Sequence, residues 1–188
     1  MRLVVGISGS TGVIYGIRLL EVLREAPDIE THLILTLPAK RTIVQETAYA
    51  VKDVEALVAH VHDNRDIGAS VASGSFRTGG MVILPCSIKT AAALASACGE
   101  GLLCRAADVT LKEGRRLIVG VREAPLHAGH LRQLAALADL GAVIFPPLPA
   151  FYHRPATLDD IIDYTVGRIL DRLEIPHRLG REWTGTHR

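Results

Sequence analysis

Residues 6–16, GISGSTGVIYG, gather small and hydroxyl-bearing side chains between an apolar run and a helical pattern. Gly6, Gly9 and Gly12 recur at every third position and Gly16 follows, with Ser8, Ser10 and Thr11 among them. Glycines let a backbone come close to a phosphate, and a helix that starts there adds unpaired N–H groups and the positive end of its dipole. The G-x-x-G-x-x-G spacing is not the G-x-G-x-x-G of dinucleotide folds. The next apolar run ends LILTLPAK, with Thr36 and no carboxylate for a ribose diol. No GK[ST] is present, which excludes an NTPase loop. A mononucleotide such as FMN, held by hydroxyls and backbone amides, suits the turn, the alternative being a glycine turn made for tight packing. A second hydroxyl-bearing turn, ILPCSIKT at 83–90, places Ser87 as the N-cap of another helix. Two such turns on neighbouring strands would face one cleft.

Apolar runs alternating with amphipathic segments position these turns, the pattern of a parallel sheet covered by helices on both faces. Strands are expected at 2–8, 31–37, 80–85, 117–122 and 142–147, and helices at 13–24, 39–50, 87–97, 126–140 and 158–173. Residues 63–79, rich in Gly, Ser and charge, read as a long functional loop. The 188 residues fit one α/β domain, a three-layer arrangement around a central parallel sheet that runs from 1 to 188 with a C-terminal helix and tail.

Charge balance narrows the function. With 21 Lys+Arg against 20 Asp+Glu the net charge is +1, and no basic block argues for nucleic acid. Apolar runs are too short to span a bilayer, and MRLVVGIS reads as a first strand rather than a signal peptide. Cys86, Cys98 and Cys104 are odd in number and lack C-x-x-C spacing, so a reduced, cytoplasmic setting without a zinc site is expected. A hydrophobic content of 48% hints at more buried surface than one chain provides, hence at an oligomer.

Three patterns imitate chemistry without supporting it. DDIID at 159–163 matches the DDxxD of metal-dependent isoprenoid synthases, but Thr157 and Asp160 form a T-x-x-D helix start that explains the acids. His127-x-x-His130 and His60-x-His62 resemble ligand pairs but lack a third ligand at a plausible spacing, so solvated or capping histidines are expected. Cys86 follows a strand with no Cys–His–acid set in view, which favours a core thiol.

GISGSTGVIYG, SGSFRTGGMVILPCSIKT, RAADVTLKE, VREAPLH and PPLPAFYHRP, in this order, resemble the flavin prenyltransferase (UbiX-like) family from Arg2 to Trp183. The resemblance implies a flavodoxin-like (Rossmann-like) fold, a homododecamer and a role linked to ubiquinone biosynthesis. It implies transfer of a dimethylallyl group from dimethylallyl monophosphate to N5 and C6 of reduced FMN. Phosphate is released, and prenylated FMN passes to a UbiD-type decarboxylase. FMN is then a substrate, and fixed cations replace the magnesium of diphosphate-dependent enzymes.

Matching motif by motif, the resemblance assigns flavin binding to Gly9, Ser10, Thr11, Thr36, Ser87, Ile88, Lys89 and Thr90, with Arg105 toward the FMN phosphate. The prenyl-phosphate site carries over onto Ala72, Lys112, Arg122, Tyr152 and Arg168, with Trp183 as a covering aromatic or a tail residue packed on a neighbour. Lys112 would act as a point charge, whereas Arg122 and Arg168 can fork onto phosphate oxygens. Catalytic roles fall to Glu123, Glu46, Thr11 and Lys112, with Glu123 supporting the phosphate and Glu46 the flavin side. Thr11 and Thr36 stand where Ser is frequent, Gly114 interrupts a KERRPL-like segment, and Pro38 and Lys40 replace an SKAA-like one. The fold class also admits an FMN-dependent cysteine-type decarboxylase, whose PASANT-like turn and P-x-M-N motif are not found, or a non-catalytic flavin carrier.

Overall fold

The computed structural model describes residues 1–180 and Gly185. The chain divides into two compact units, Met1–Pro147 and Leu148–Arg188. In the first, the described residues form one six-stranded sheet, every pairing parallel, in the order β3-β2-β1-β4-β5-β6. The strands are β1 (Arg2–Ile7), β2 (Glu30–Leu35), β3 (His60–Asp63), β4 (Gly80–Cys86), β5 (Arg116–Val121) and β6 (Val143–Ile144). The helices of this unit are α1 (Val13–Arg24), α2 (Leu37–Glu46), α3 (Val51–Glu55), α4 (Ile88–Ala95), α5 (Gly101–Lys112) and α6 (Ala128–Asp139). This is the helix-covered parallel sheet expected from the alternating pattern, in the doubly wound, flavodoxin-like α/β architecture that the resemblance implies. β1 and β4 are neighbours from which the chain winds outward in opposite directions, and ligands of such sheets bind at that switch point.

Burial explains why the central strands read so clearly. Every residue of β4 is buried, and Leu3, Val4, Val5 and Ile7 of β1 lie inside. Helix α1 has the bounds its periodicity predicts. It lies so close to the sheet that a Cβ on Gly16 would stand 2.2 Å from the Leu84 carbonyl oxygen.

Other elements differ from expectation for identifiable reasons. α2 starts at Leu37, because Thr36 caps it and Pro38 fits the first turn. It stops at Glu46, and α3 restarts where Asp53 accepts the Ala50 N–H at 2.9 Å. The strand expected at 142–147 shortens to Val143–Ile144, since Pro146 and Pro147 cannot donate to a ladder. β3 has no counterpart among the expected strands, because HVHD is a short edge strand with three of its four residues exposed. Helix α5 is also absent from the expected set. It buries Leu102, Leu103, Ala106, Ala107, Val109 and Thr110 at helical spacing.

In the second unit, Phe151–His153 form one 3-10 turn and α7 runs over Leu158–Leu173 as expected. Of the DDIID acids, Asp160 completes its capping box with Thr157. Thr157 Oγ1 accepts the Asp160 N–H at 3.2 Å, while Asp160 accepts the N–H groups of Thr157 and Ala156 at 2.9 and 2.8 Å. These backbone donors hold the Asp160 carboxyl below its ordinary value. Among the described residues, no helix is long and apolar enough to cross a membrane.

Gly16→Ala therefore drives a methyl into the β4 backbone, which cannot yield as a side chain would. It should destabilise the fold by about 3 kcal/mol, measured as a lower urea midpoint. An unchanged midpoint contradicts this packing.

Candidate active site

At the carboxyl ends of β1 and β4 the two hydroxyl-bearing turns meet through Ser8, which is 1% exposed. Its Oγ donates to the Pro85 carbonyl at 3.2 Å and accepts the Ser87 N–H at 2.7 Å, while its own N–H donates to the same Pro85 carbonyl at 3.1 Å. The next strand is tied in by Ser10, whose Oγ donates to the Arg122 carbonyl at 2.7 Å, and by the Arg122 N–H, which donates to the Cys86 carbonyl at 3.1 Å. Three consecutive strands of the sheet thus end in one hydrogen-bonded crevice.

The backbone here is bare where a ligand would approach. Gly9 is exposed, and a Cβ on it would fall 2.2 Å from Pro38 Cβ, so only glycine fits between the turn and α2. Gly12 has φ +88° and caps α1 with no side-chain cap of its own, and a Cβ there would lie 2.9 Å from Arg122 Cδ. The Gly12 N–H donates to Glu46 Oε2 at 2.7 Å, which brings a carboxylate from the end of α2 to the positive end of α1. Thr36 Oγ1 accepts the Ala39 N–H at 3.2 Å, and Ser87 Oγ accepts the Thr90 N–H at 3.2 Å and pairs with Thr90 Oγ1 at 3.0 Å. Ile88 and exposed Lys89 occupy the first turn of α4, whose leading N–H groups have no intrahelical partner. Thr11, Arg122 and Glu123 are exposed at the mouth. The crevice therefore gathers Gly9, Ser10, Thr11, Thr36, Glu46, Ser87, Ile88, Lys89, Thr90, Arg122 and Glu123. Its bare glycine backbone, unpaired amides and hydroxyls fit a flavin mononucleotide, and Arg122 offers a fork for a phosphate.

The remaining side chains singled out by the sequence form two further groups. Arg105 and Lys112 stand seven residues apart, two turns, on α5 and both are exposed. Arg105 Nε donates to the Ala72 carbonyl at 3.2 Å, and its Nη1 to Asp108 at 2.9 Å. Lys112 Nζ donates to Glu113, whose carboxyl it holds below the ordinary value. Lys112 precedes β5 and Arg122 follows it. Six residues at about 3.3 Å each put these cations about 20 Å apart along the strand direction, at opposite ends of the sheet. In the second unit, Tyr152 and Arg168 line one cleft of about 600 Å³ with Tyr164 and Asp171. The Tyr152 and Tyr164 hydroxyls pair at 2.7 Å, and Arg168 donates to Asp171 at 3.3 Å. Trp183 lies outside the described residues.

Cys86 is a core thiol. Burial, with Cys104 nearby, pushes its pKa well above the ordinary thiol range, so it is no nucleophile at neutral pH. His127 is a cap whose Nδ1 accepts the N–H groups of Gly129 and His130. His60 and His62 are less solitary than their spacing implies, since His62 pairs with His32 at 2.9 Å and His60 with Glu30 at 3.0 Å.

Residues that support the site without a sequence signature are Pro38, Asn64 and Arg115. Asn64 Oδ1 accepts the Leu103 N–H at 2.9 Å and starts α5, while Arg115 donates to the carbonyls of Gly74 and Phe76 at 2.6 and 2.9 Å and fixes the 63–79 loop. Ser8 was visible as a hydroxyl, but its partners lie 77 and 79 residues away.

Known proteins share this fold. The family described as Flavoprotein matches residues 1–170. The flavin prenyltransferase UbiX of Escherichia coli (strain K12) is 56% identical over 186 residues, 98% of each chain. The crystal structure of a dodecameric FMN-dependent UbiX-like decarboxylase from Escherichia coli O157:H7 superposes with a TM-score of 0.96 at 47% identity, covering 98% of this chain and all of the other. AnUbiX, solved in complex with FMN and dimethylallyl pyrophosphate, superposes with a TM-score of 0.90 at 45% identity, covering 96% and 98%. With this identity sustained from end to end, the chain belongs to the UbiX-like flavin prenyltransferase family of flavoproteins.

Proposed function

We propose that this chain joins a dimethylallyl group from dimethylallyl monophosphate to N5 and C6 of reduced FMN, releasing phosphate and giving prenylated FMN. The observation that carries this reading is the crevice at the switch point. There a bare glycine turn, two capped helix starts, the Glu46 carboxylate and the Arg122 side chain come together. The 56% identity to a flavin prenyltransferase and the 45% identity to a relative solved with FMN and dimethylallyl pyrophosphate support it.

Reduced FMN supplies the electron-rich flavin edge that accepts the prenyl carbon. Gly9, Ser10, Thr11, Thr36 and Ser87–Thr90 hold the flavin by backbone amides and hydroxyls. Arg122 binds the leaving phosphate through a planar fork, stabilising negative charge as it develops without a metal ion. Glu123, beside it, carries a proton to or from the phosphate, and Glu46, already on the Gly12 N–H, serves the flavin side with Thr11. By the family's motifs, Tyr152, Arg168 and Ala72 of the 63–79 loop are assigned to binding the prenyl phosphate.

Lys112 and Arg105 require one more element. Because Lys112 stands about 20 Å from Arg122 in its own chain, it reaches a prenyl phosphate only in a neighbouring copy, with Arg105 on the same helix toward that copy's FMN phosphate. A homo-oligomer would supply such neighbours, and the relative from Escherichia coli O157:H7 is dodecameric. We place the enzyme in the cytoplasm, where its three free cysteines stay reduced, and its product with a UbiD-type decarboxylase.

The cysteine-type decarboxylases fit less well. The peptidyl-cysteine decarboxylase EpiD shares the fold at 12% identity, and this chain carries PCSIKT at the second turn.

Anaerobic incubation with reduced FMN and dimethylallyl monophosphate should add the mass of one prenyl unit to the flavin and release phosphate. An unchanged flavin mass contradicts the reading, and would leave a decarboxylase or a carrier. Glu123→Gln should bind FMN normally and lose turnover about 100-fold or more; wild-type turnover in that variant removes Glu123 from the mechanism.

A further inference from the structure

The outer edge of the sheet carries a cluster that flavin chemistry does not use. Glu30 and His32 are two residues apart on β2 and so project from the same face, and His60 stands opposite His32 in the register with β3. Glu30 Oε1 lies 3.2 Å from His32 Nε2 and 3.0 Å from His60 Nε2, and the three atoms all fall within 4.8 Å of one another. Ligand atoms bound at about 2.0–2.1 Å around a tetrahedral zinc ion stand about 3.3 Å apart, so two of the three edges already have the required length. The third, between the two imidazole nitrogens, is no longer than 4.8 Å, and exposed His60, whose ring stacks on His32 with centroids 4.6 Å apart, has to turn at the open edge to close it.

The surroundings prepare the ligands. His32 is 3% exposed, and its Nδ1 pairs with His62 Nε2 at 2.9 Å. When that Nδ1 carries the proton, the Nε2 lone pair faces Glu30 and His60, the way an outer hydrogen bond orients a ligating imidazole. Arg2 occupies the other carboxylate oxygen of Glu30 at 3.3 Å and leaves Oε1 to the histidines. Phe76 stands edge-on to His32 and closes one wall.

We propose that Glu30, His32 and His60 bind one divalent cation of the zinc class, with water completing the coordination, and that the ion pins the four-residue edge strand β3 to β2. Two imidazoles and one carboxylate suit such borderline ions, whereas magnesium and calcium demand all-oxygen sets. The site lies toward the amino ends of the strands, away from the crevice beyond Ser8, so the ion is structural. This proposal does not depend on the prenyl-transfer reading.

The test uses the assembled protein stripped with chelator, dialysed and titrated with zinc chloride. Elemental analysis should find one zinc per chain, and saturation at about 100 times the dissociation constant should raise Tm by about 5–10 °C. His60→Ala and Glu30→Gln should each weaken zinc binding at least about tenfold while flavin binding stays unchanged. His130→Ala should retain the full shift, and magnesium should give none. Substoichiometric zinc, no rise in Tm, an equal rise with magnesium, or a full rise in both His60→Ala and Glu30→Gln overturns the proposal.

Discussion

All six strands run the same way, and this one constraint decides where chemistry can occur in the first unit. Every strand delivers its carboxyl end to a single edge, so the turns after β1, β4 and β5 fall side by side, and between β1 and β4 the winding reverses and opens a crevice. Ser8 holds that crevice in register. Without its hydroxyl the half-buried Ser87 N–H would lose its acceptor, at a cost of about 1 kcal/mol. The Pro85 carbonyl would keep the Ser8 backbone N–H. The glycines at 9 and 12 leave the remaining space, each facing a neighbour that a methyl group would strike.

The same polarity separates the cations. A helix that returns antiparallel to the strands ends at the amino edge, so Lys112 is carried away from the turn that bears Arg122. Sequence motifs can collect residues that one folded chain holds apart, and the proposed function assigns their meeting to a second copy. Exposed apolar side chains in the first unit, among them Val44, Ile67, Leu131 and Leu140, provide surface that such copies would cover.

What was legible in the sequence follows from how local each cause is. Helix α1 and helix α7 have the bounds their periodicities predict, because the glycine turn and the Thr157–Asp160 box lie within a few residues of their starts. The caps at Thr36 and Ser87 were readable for the same reason. β3 and α5 were not. HVHD has the composition of a ligand pair and the exposure of an edge strand, and α5 begins at Gly101 with its leading N–H groups held by Asn64, 39 residues before Leu103. At the site, the residue types were visible and their pairings were not. Glu46 reaches Gly12 across 34 residues, and Glu30 meets His60 across 30, contacts that no local spacing reveals. Only the parallel register of distant strands brings these partners together.

On the proposed function, Arg122 and Lys112 serve one prenyl phosphate from different copies of the chain. This is tested by mixing two inactive proteins, Arg122→Ala and Lys112→Ala, under conditions that exchange subunits, and measuring prenylated flavin. Mixed assemblies contain pockets lined by one intact copy of each cation, so activity should return well above that of either variant alone. A mixture as inactive as its components, with subunit exchange verified, contradicts the account.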